Sequence, residues 1–408
     1  MSHQRDVTDG SSQTLKANLN VLARLFNVEP AWTNICTARE AIGLDTHTLL
    51  HAGPPFIDPT KPSLPVLSSC ILVCIQEGWA SSGTDAEMLI ASGKVRLLSA
   101  LQFNVLMPLA AVASYNSPLV EISDLNSTSK AWSLLSSGAG PQIRFGTRDV
   151  NVIERLKWRD TVLAPQLQLI ISKNPIPLFP IARAGLLAGD DLHASTAHAQ
   201  LALNQIIFPQ LSCVSASSHI RTMLENSPLF FLTLWIAACH VMLHTAAANG
   251  TDPKSSLVIS LAGNGERLGI KVSNSPESWI AIPAPTPAGP FIKSDQHIAA
   301  SPVIGDSGVI DAAGFGAQGL HCASQISEAL HDWLPDNWRN LKESLMLYQH
   351  PYFSDLNIRT GMDVLSGVDP IAAIAMIGID GETGLLGRGI VQPGSTLFSL
   401  AEFQLLNS

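Results

Sequence analysis

Leu50-His51-Ala52-Gly53-Pro54-Pro55-Phe56 and, a short way on, Glu77-Gly78-Trp79-Ala80 are the two stretches around which the chain is read. The first reads as a strand end running into a rigid turn. Gly53 admits backbone angles closed to other residues, and Pro54 and Pro55 fix the exit. A histidine delivered at such a strand end is held without being covered by repeating structure, so His51 is placed to meet a ligand. Glu77 follows the apolar run from Val66 to Ile75 and stands at the end of the next element. A turn histidine and a surface glutamate are the alternative reading. Neither stretch names a reaction by its chemistry alone.

Working outward, residues 13 to 27 carry Leu15, Leu19, Leu22, Leu25 and Phe26 at helical spacing. A short helix is expected around Thr37 to Ile42, then a strand into His51. The loop from Pro54 to Pro65 holds five prolines and no periodicity. Val66 to Gln76 fits a buried strand or a short helix. Thr84-Asp85-Ala86-Glu87 has the capping-box pattern and opens a helix that stops at Gly93. Val95–Leu98 and Leu119–Ile122 read as strands. Helical patterns then dominate: Asn151 to Ser172 with a break at Pro165, Ile181 to Ala188, a helix through Asn204, and most of 217 to 248. From Ser256 strands return at Leu257–Leu261, Gly269–Val272 and Trp279–Ile282. A helix is expected over Leu320–Trp333, a strand over Ile371–Ile379 and another at Gly389–Val391. This divides the chain into an N-terminal α/β domain (1–149), a mainly helical region (150–250) and a C-terminal α/β domain (251–408).

At 408 residues the chain is too long for one ordinary core. Charged residues make up 14% and apolar ones 46%, against about 25% charged in a typical domain. That balance points to extensive buried surface, in a large core or in contacts between subunits. A net charge of −9 and the lack of a basic stripe exclude a nucleic-acid partner. The six cysteines form no C-x-x-C pair and sit mostly in apolar runs, as expected of a cytoplasmic protein without disulfides. Met1 to Ser12 is polar and does not read as a signal peptide. The apolar segment Pro228 to Ala248 is interrupted by Thr233, His240 and His244, and reads as a buried helix rather than a membrane span.

Four constellations bear on chemistry. Gly314-Phe315-Gly316-Ala317-Gln318-Gly319 fits G-x-G-x-x-G before a helix. Free N–H groups and the helix dipole there suit an anion, and close backbone packing is the alternative. As a dinucleotide fingerprint it lacks the long preceding strand. Gly305-Asp306-Ser307-Gly308 is similar to the nucleophile motif of trypsin-like proteases, but the His and Asp contexts of that class are missing. Asp306 and Ser307 are left to bind polar groups of a substrate or to shape a turn. His240 and His244 share a helical face, yet Val241 stands where a zincin needs Glu, so no metal is expected. Asp190, Asp191 and His193 cluster at a helix start, where capping competes with a catalytic or metal role.

The ordered set of Leu50-His51-Ala52-Gly53-Pro54-Pro55, Glu77-Gly78-Trp79-Ala80, Arg144-Phe145-Gly146, Gly189-Asp190-Asp191-Leu192-His193, Asn264-Gly265 and Ile304-Gly305-Asp306-Ser307 resembles the DUF1116, or AllG-like, family, which includes a subunit of oxamate carbamoyltransferase. The resemblance runs along nearly the whole chain. It implies an α+β fold in several subdomains with a central helical insert, in agreement with the pass above. It also implies carbamoyl transfer between a small amide and phosphate, no cofactor, and either a homo-oligomer or an FdrA-like partner subunit. On that reading His51, Glu77 and Asp306 are catalytic, with His51 holding a carbonyl oxygen or acting as general acid/base. Arg144, His193, Asn264, Ser307, Gly314 and Gly316 bind substrate, with carbamoyl phosphate near Gly314 to Gly319 and the acceptor amide on Asn264. Four stretches depart from the family pattern: Ala100-Leu101-Gln102-Phe103, Ala194-Ser195, Gly263, and Ala372 to Gly378. There His, Asn, Arg and Lys positions are lost, which removes groups suited to an anion. A less charged substrate, a non-catalytic scaffold subunit, and a repurposed amide hydrolase or tailoring transferase are the alternatives this raises.

Overall fold

The strand Pro30–Thr37 is paired on both sides within the largest, five-stranded sheet, in a stretch whose sequence shows no clean alternation. A bulge between Trp32 and Asn34 accounts for this, since the extra residue breaks the period of two. The strand pairs antiparallel with Pro118–Asp124 on one side and Ile176–Pro177 on the other. Pro118–Asp124 pairs in turn with Lys130–Leu134, and that strand runs parallel to Val105–Leu106 at the sheet edge. In this computed structural model residues 3–293 and 297–406 are described, with side chains from residue 12 onward.

Helix Phe230–Ala247 lies across this sheet, against the helix His3–Leu25 and against the strand Val258–Asn264 of the next sheet. It is apolar almost all round, the signature of a core helix. The segment Phe230–Gly250 is long and apolar enough to cross a membrane by length and composition, but 83% of its 18-residue apolar window is buried within the fold.

A second sheet has the order Ile280–Pro283, Arg267–Val272, Val258–Asn264, Ile304–Gly305, all antiparallel. Its last pairing sets Ile304 opposite Asn264 and Gly305 opposite Gly263. Thr48–His51 centres a third, small sheet, parallel to Arg96–Ser99 and antiparallel to Val112–Ala113. Parallel neighbours need a crossover, here supplied by the helices Leu64–Gln76 and Gly83–Ala91. A hairpin of Ala372–Ile377 and Leu385–Val391 completes the surroundings of the site.

Mixed α+β architecture is thus what the chain adopts. One open choice is settled and two local expectations change. Val66 to Gln76 is a helix, started by Pro65 in its first turn. Ser82, not Thr84, caps the following helix, its hydroxyl accepting the Asp85 N–H. Leu320–Trp333 is not one helix but three short turns, interrupted where Ala323 leaves helical angles. One continuous apolar cluster runs from Val21 to Ala401 and takes in all three segments of the chain. All six cysteines are free thiols.

Candidate functional site

Two places gather the singled-out residues: a buried polar junction and a cavity in front of it. The junction is built on Asp306, which is 1% exposed. One carboxylate oxygen accepts the N–H of Gly53 and the other that of Met107, each at 2.7 Å. Burial pushes this carboxyl up to about 7, against the pull of the two N–H donors and of Lys271. Asn264 is equally committed. Its amide nitrogen donates to the Pro54 carbonyl at 2.8 Å, and its oxygen accepts from Glu266 and Arg267. Gly53 has φ +77, and a Cβ there would lie 2.4 Å from the Gly263 carbonyl carbon, so glycine is needed where the two turns touch.

His51 belongs to this junction. Its Nδ1 donates to the Ala52 carbonyl at 2.7 Å, and its ring packs on Phe56. Nε2 is buried without a partner, and burial depresses the ring to about 4. The imidazole is therefore neutral at pH 7, and His51 does not line the cavity. Glu77 ends its helix and accepts bonds from Ser114 and, at 2.8 Å, from Asn116. It ties that helix to the turn after Val112–Ala113 and stands apart from both places.

The cavity holds about 380 Å³ and is walled by Leu109, the loop from Leu135 to Phe145, the start of helix Phe230–Ala247, and the hairpin Ala372–Val391. Arg144, His193 and Ser307 all face it. So do two residues the sequence did not single out, Arg159 and Arg388. Among the described lining residues there is no Asp, Glu or Lys. Arg144 has an unbonded, buried Nε, and its guanidinium lies 4.9 Å from the ring of Phe145. Burial brings its guanidinium down to about 10. Arg159 bonds Asp160 through Nε at 2.7 Å and opens a turn of π-helix, Arg159–Leu163. Pro165 follows directly and lacks the N–H that a regular helix would use. The helix runs on through Pro165 without the expected break, and the irregularity is the π-turn that begins at Arg159. Ser307 makes no capping bond to its own helix, Gly308–Ala312.

His193 is the titratable group on the cavity wall with a buried carboxylate behind it. Its Nδ1 lies 2.8 Å from Oδ2 of Asp311, which is fully buried and accepts the N–H groups of Ala317 and Ala373 with its other oxygen. Burial alone would depress the imidazole, but the charge of Asp311 and its hydrogen bond outweigh that and raise it. With Nδ1 occupied, Nε2 is left for the cavity. Asp191 and Asp190 shape this loop: Asp191 accepts from the N–H groups of His193, Ala194 and Ser195, and Asp190 caps the next helix through His198 and Ala199. Leu192 sits at φ +68, a strained angle next to His193.

The glycine-rich loop lies beneath His193. Its N–H groups are taken within the chain: Gly314 by the Asp311 carbonyl, Gly316 by that of Asp191, Ala317 by the Asp311 carboxylate. A Cβ on Gly314 would meet the Arg359 carbonyl oxygen at 1.7 Å, and one on Gly316 would meet Asp311 at 2.7 Å and His193 at 2.9 Å. Of the two readings of this motif, close backbone packing is the one the geometry uses. His240 bonds Asn104 at 3.1 Å and stacks on His244. Among the described residues no group of three His, Cys, Asp or Glu is placed to hold a metal.

A family model described as oxamate carbamoyltransferase subunit AllG matches residues 95–307. The chain belongs to the AllG family. It is 24% identical over 406 residues to the oxamate carbamoyltransferase subunit AllG of Escherichia coli, covering 95% of this chain and 96% of that one. It is 25% identical over 405 residues to YahG of the same organism, an uncharacterised protein, covering 94% and 84%. The fold is also that of a conserved protein of unknown function from Enterococcus faecalis, with TM-score 0.90, 23% identity, and coverage of 98% and 99%.

The AllG match includes Arg144, Arg159, His193, Asn264 and Ser307 and ends before Asp311 and Arg388. Two of the stretches that depart from the AllG-like pattern reach the cavity, placing Ala194, Ile374 and Ala375 on its wall. For Arg159 the only sequence signal was the nearby proline. For Asp311 and Arg388 there was none.

Proposed function

We propose that this chain is a carbamoyltransferase-like enzyme or enzyme subunit whose active site is the cavity facing Arg144, Arg159, Arg388 and His193. It exchanges a carbamoyl group between a small amide and phosphate. The observation that carries this is three arginines and an Asp-backed histidine around one cavity with no carboxylate among its described lining residues. Phosphate and carbamoyl phosphate are the anions such a set would hold. Membership of the AllG family supports the reaction class.

The chemistry assigned to these residues is simple. A phosphate oxygen bonds to the carbamoyl carbon, and the bond from that carbon to the amide nitrogen breaks. The departing nitrogen takes a proton from Nε2 of the His193 imidazolium, the form that Asp311 favours. In the reverse direction the neutral imidazole takes that proton back. The arginines hold the phosphate and the charge growing on the carbonyl oxygen. His51, Asn264 and Asp306 position the turns behind the cavity, and the acid–base role passes from His51 to His193.

One observation favours a second reading, a scaffold subunit. His51 Nδ1, Asn264 and Asp306, which carried the family resemblance, spend their bonds within the chain. The Escherichia coli relative is named as a subunit, so a second copy or an FdrA-like protein is the proposed partner. The deciding experiment follows carbamoyl phosphate formation from an N-carbamoyl amide and phosphate, with the chain alone and with that partner. Turnover lost in His193→Gln supports the enzyme. Turnover seen only with the partner, and unaffected by His193→Gln and Arg144→Gln, would leave the scaffold; such turnover by the chain alone would put the active site elsewhere.

A further inference from the structure

We propose that the acid this cavity takes is amphiphilic: a ureido or amide acid carrying an apolar body of several carbons, not a bare two-carbon acid. This rests on the cavity being the substrate site, as argued above. Its volume of about 380 Å³ falls in the range of about 300–1,000 Å³ that encloses drug-sized ligands. Two helical segments turn an apolar stripe toward it. Leu229, Leu232 and Ile236 recur at helical spacing along the start of Phe230–Ala247, and Ile326 and Leu330 do so on the short helix opposite. Ile374 adds to this wall from the hairpin.

In a core, stripes of this kind pack against a neighbouring element. Here they border the cavity, where water finds few hydrogen-bond partners and apolar surface is best covered by an apolar ligand. The charged groups are few by comparison: three arginines and His193. A ligand that matches both features has an anionic end for the arginines and a hydrocarbon part for the stripes. At its outer side the cavity includes Phe291, which is 43% exposed, so the apolar lining continues to the surface.

Titration calorimetry on the full chain tests this with N-carbamoyl-glycine, N-carbamoyl-alanine, N-carbamoyl-norvaline and N-carbamoyl-norleucine, alongside inorganic phosphate. Each buried methylene should tighten binding about fourfold, so the norleucine acid should bind at least about tenfold tighter than the glycine acid. Ile236→Ala should reduce that gain. Should the variant not fold, the ligand series on the natural chain decides the matter. Equal or weaker binding of the longer acids, with phosphate and the glycine acid still bound, overturns the amphiphile and leaves the active-site assignment standing. If neither phosphate nor any acid binds, both are overturned.

Discussion

Oδ2 of Asp311 lies 2.8 Å from Nδ1 of His193, joining two residues 118 positions apart. The contact settles which ring nitrogen carries the proton on the protein side and which is left for the cavity. It also favours the imidazolium, because a buried carboxylate beside the ring stabilises its positive charge. A His–Asp pair of this kind is a means of holding a general acid in one tautomer and orientation.

Asp311→Asn should therefore lower kcat by about 10²-fold or more, the scale of a lost general acid, with a smaller effect on KM. The pH profile should move with it. His193 titrates above its ordinary 6.5 in the natural protein, so proton donation to the departing nitrogen is complete at low pH and fades as pH rises through that raised value. In the variant the fading should begin at lower pH. An unmoved profile would remove His193 from the proton transfer.

Arg144 has no ion pair among the described residues and a buried, unbonded Nε. Its replacement should cost the fold little, within about 1 kcal/mol. Phosphate at about 100 times its Kd should stabilise the natural protein by roughly 2.7 kcal/mol. Arg144→Gln should weaken phosphate binding about tenfold or more, since a hydrogen bond to a charged group contributes about 1.5–3 kcal/mol. A melting-temperature series in phosphate, run on both proteins, reads this directly.

Asp306 has the opposite profile. Asp306→Ala strands two buried N–H groups, those of Gly53 and Met107. At about 1–3 kcal/mol for each unsatisfied donor, the loss is about 2–6 kcal/mol, seen as an earlier urea midpoint. A stable Asp306→Ala protein with lost turnover would return Asp306 to the catalytic set.

His350 bears on acid stability. Its ring is enclosed by Phe26, Phe179 and Phe353, both nitrogens lack partners, and burial depresses it to about 4. A base depressed in the fold contributes stability that is present above the unfolded value near 6.5 and is lost as pH falls from there to about 4. His350→Leu should be neutral or stabilising at pH 7 and should lose less stability by pH 4.5 than the natural protein. Denaturant midpoints at the two pH values compare them. Identical acid losses would show that His350 is protonated without cost in the fold.

Local pattern was legible in the sequence wherever one element's own residues decide it. The helical spacing from Leu15 to Phe26, the turn at Gly53-Pro54-Pro55, the apolar helix around Trp235 and the strand into His51 all follow from neighbours a few positions apart. The strand Pro30–Thr37 escaped because its bulge hides the alternation. Ordered motifs along the chain were sufficient for the family.

Tertiary structure alone decided what each motif does. Asp306 sits in a glycine-lined turn that reads as a binding loop. Only the approach of Gly53 and Met107 from distant parts of the chain shows both of its oxygens to be engaged. The glycines of 314 to 319 leave N–H groups free in sequence, but Asp191 and Asp311 accept them in space. Arg159 and Arg388 lie in unrelated stretches and come together only by facing one cavity. The physical reason is that helix and strand periods are set by covalent neighbours, whereas the convergence of charges depends on how whole elements pack. That packing is determined by hydrophobic burial across the entire chain, in which the charged groups themselves take little part.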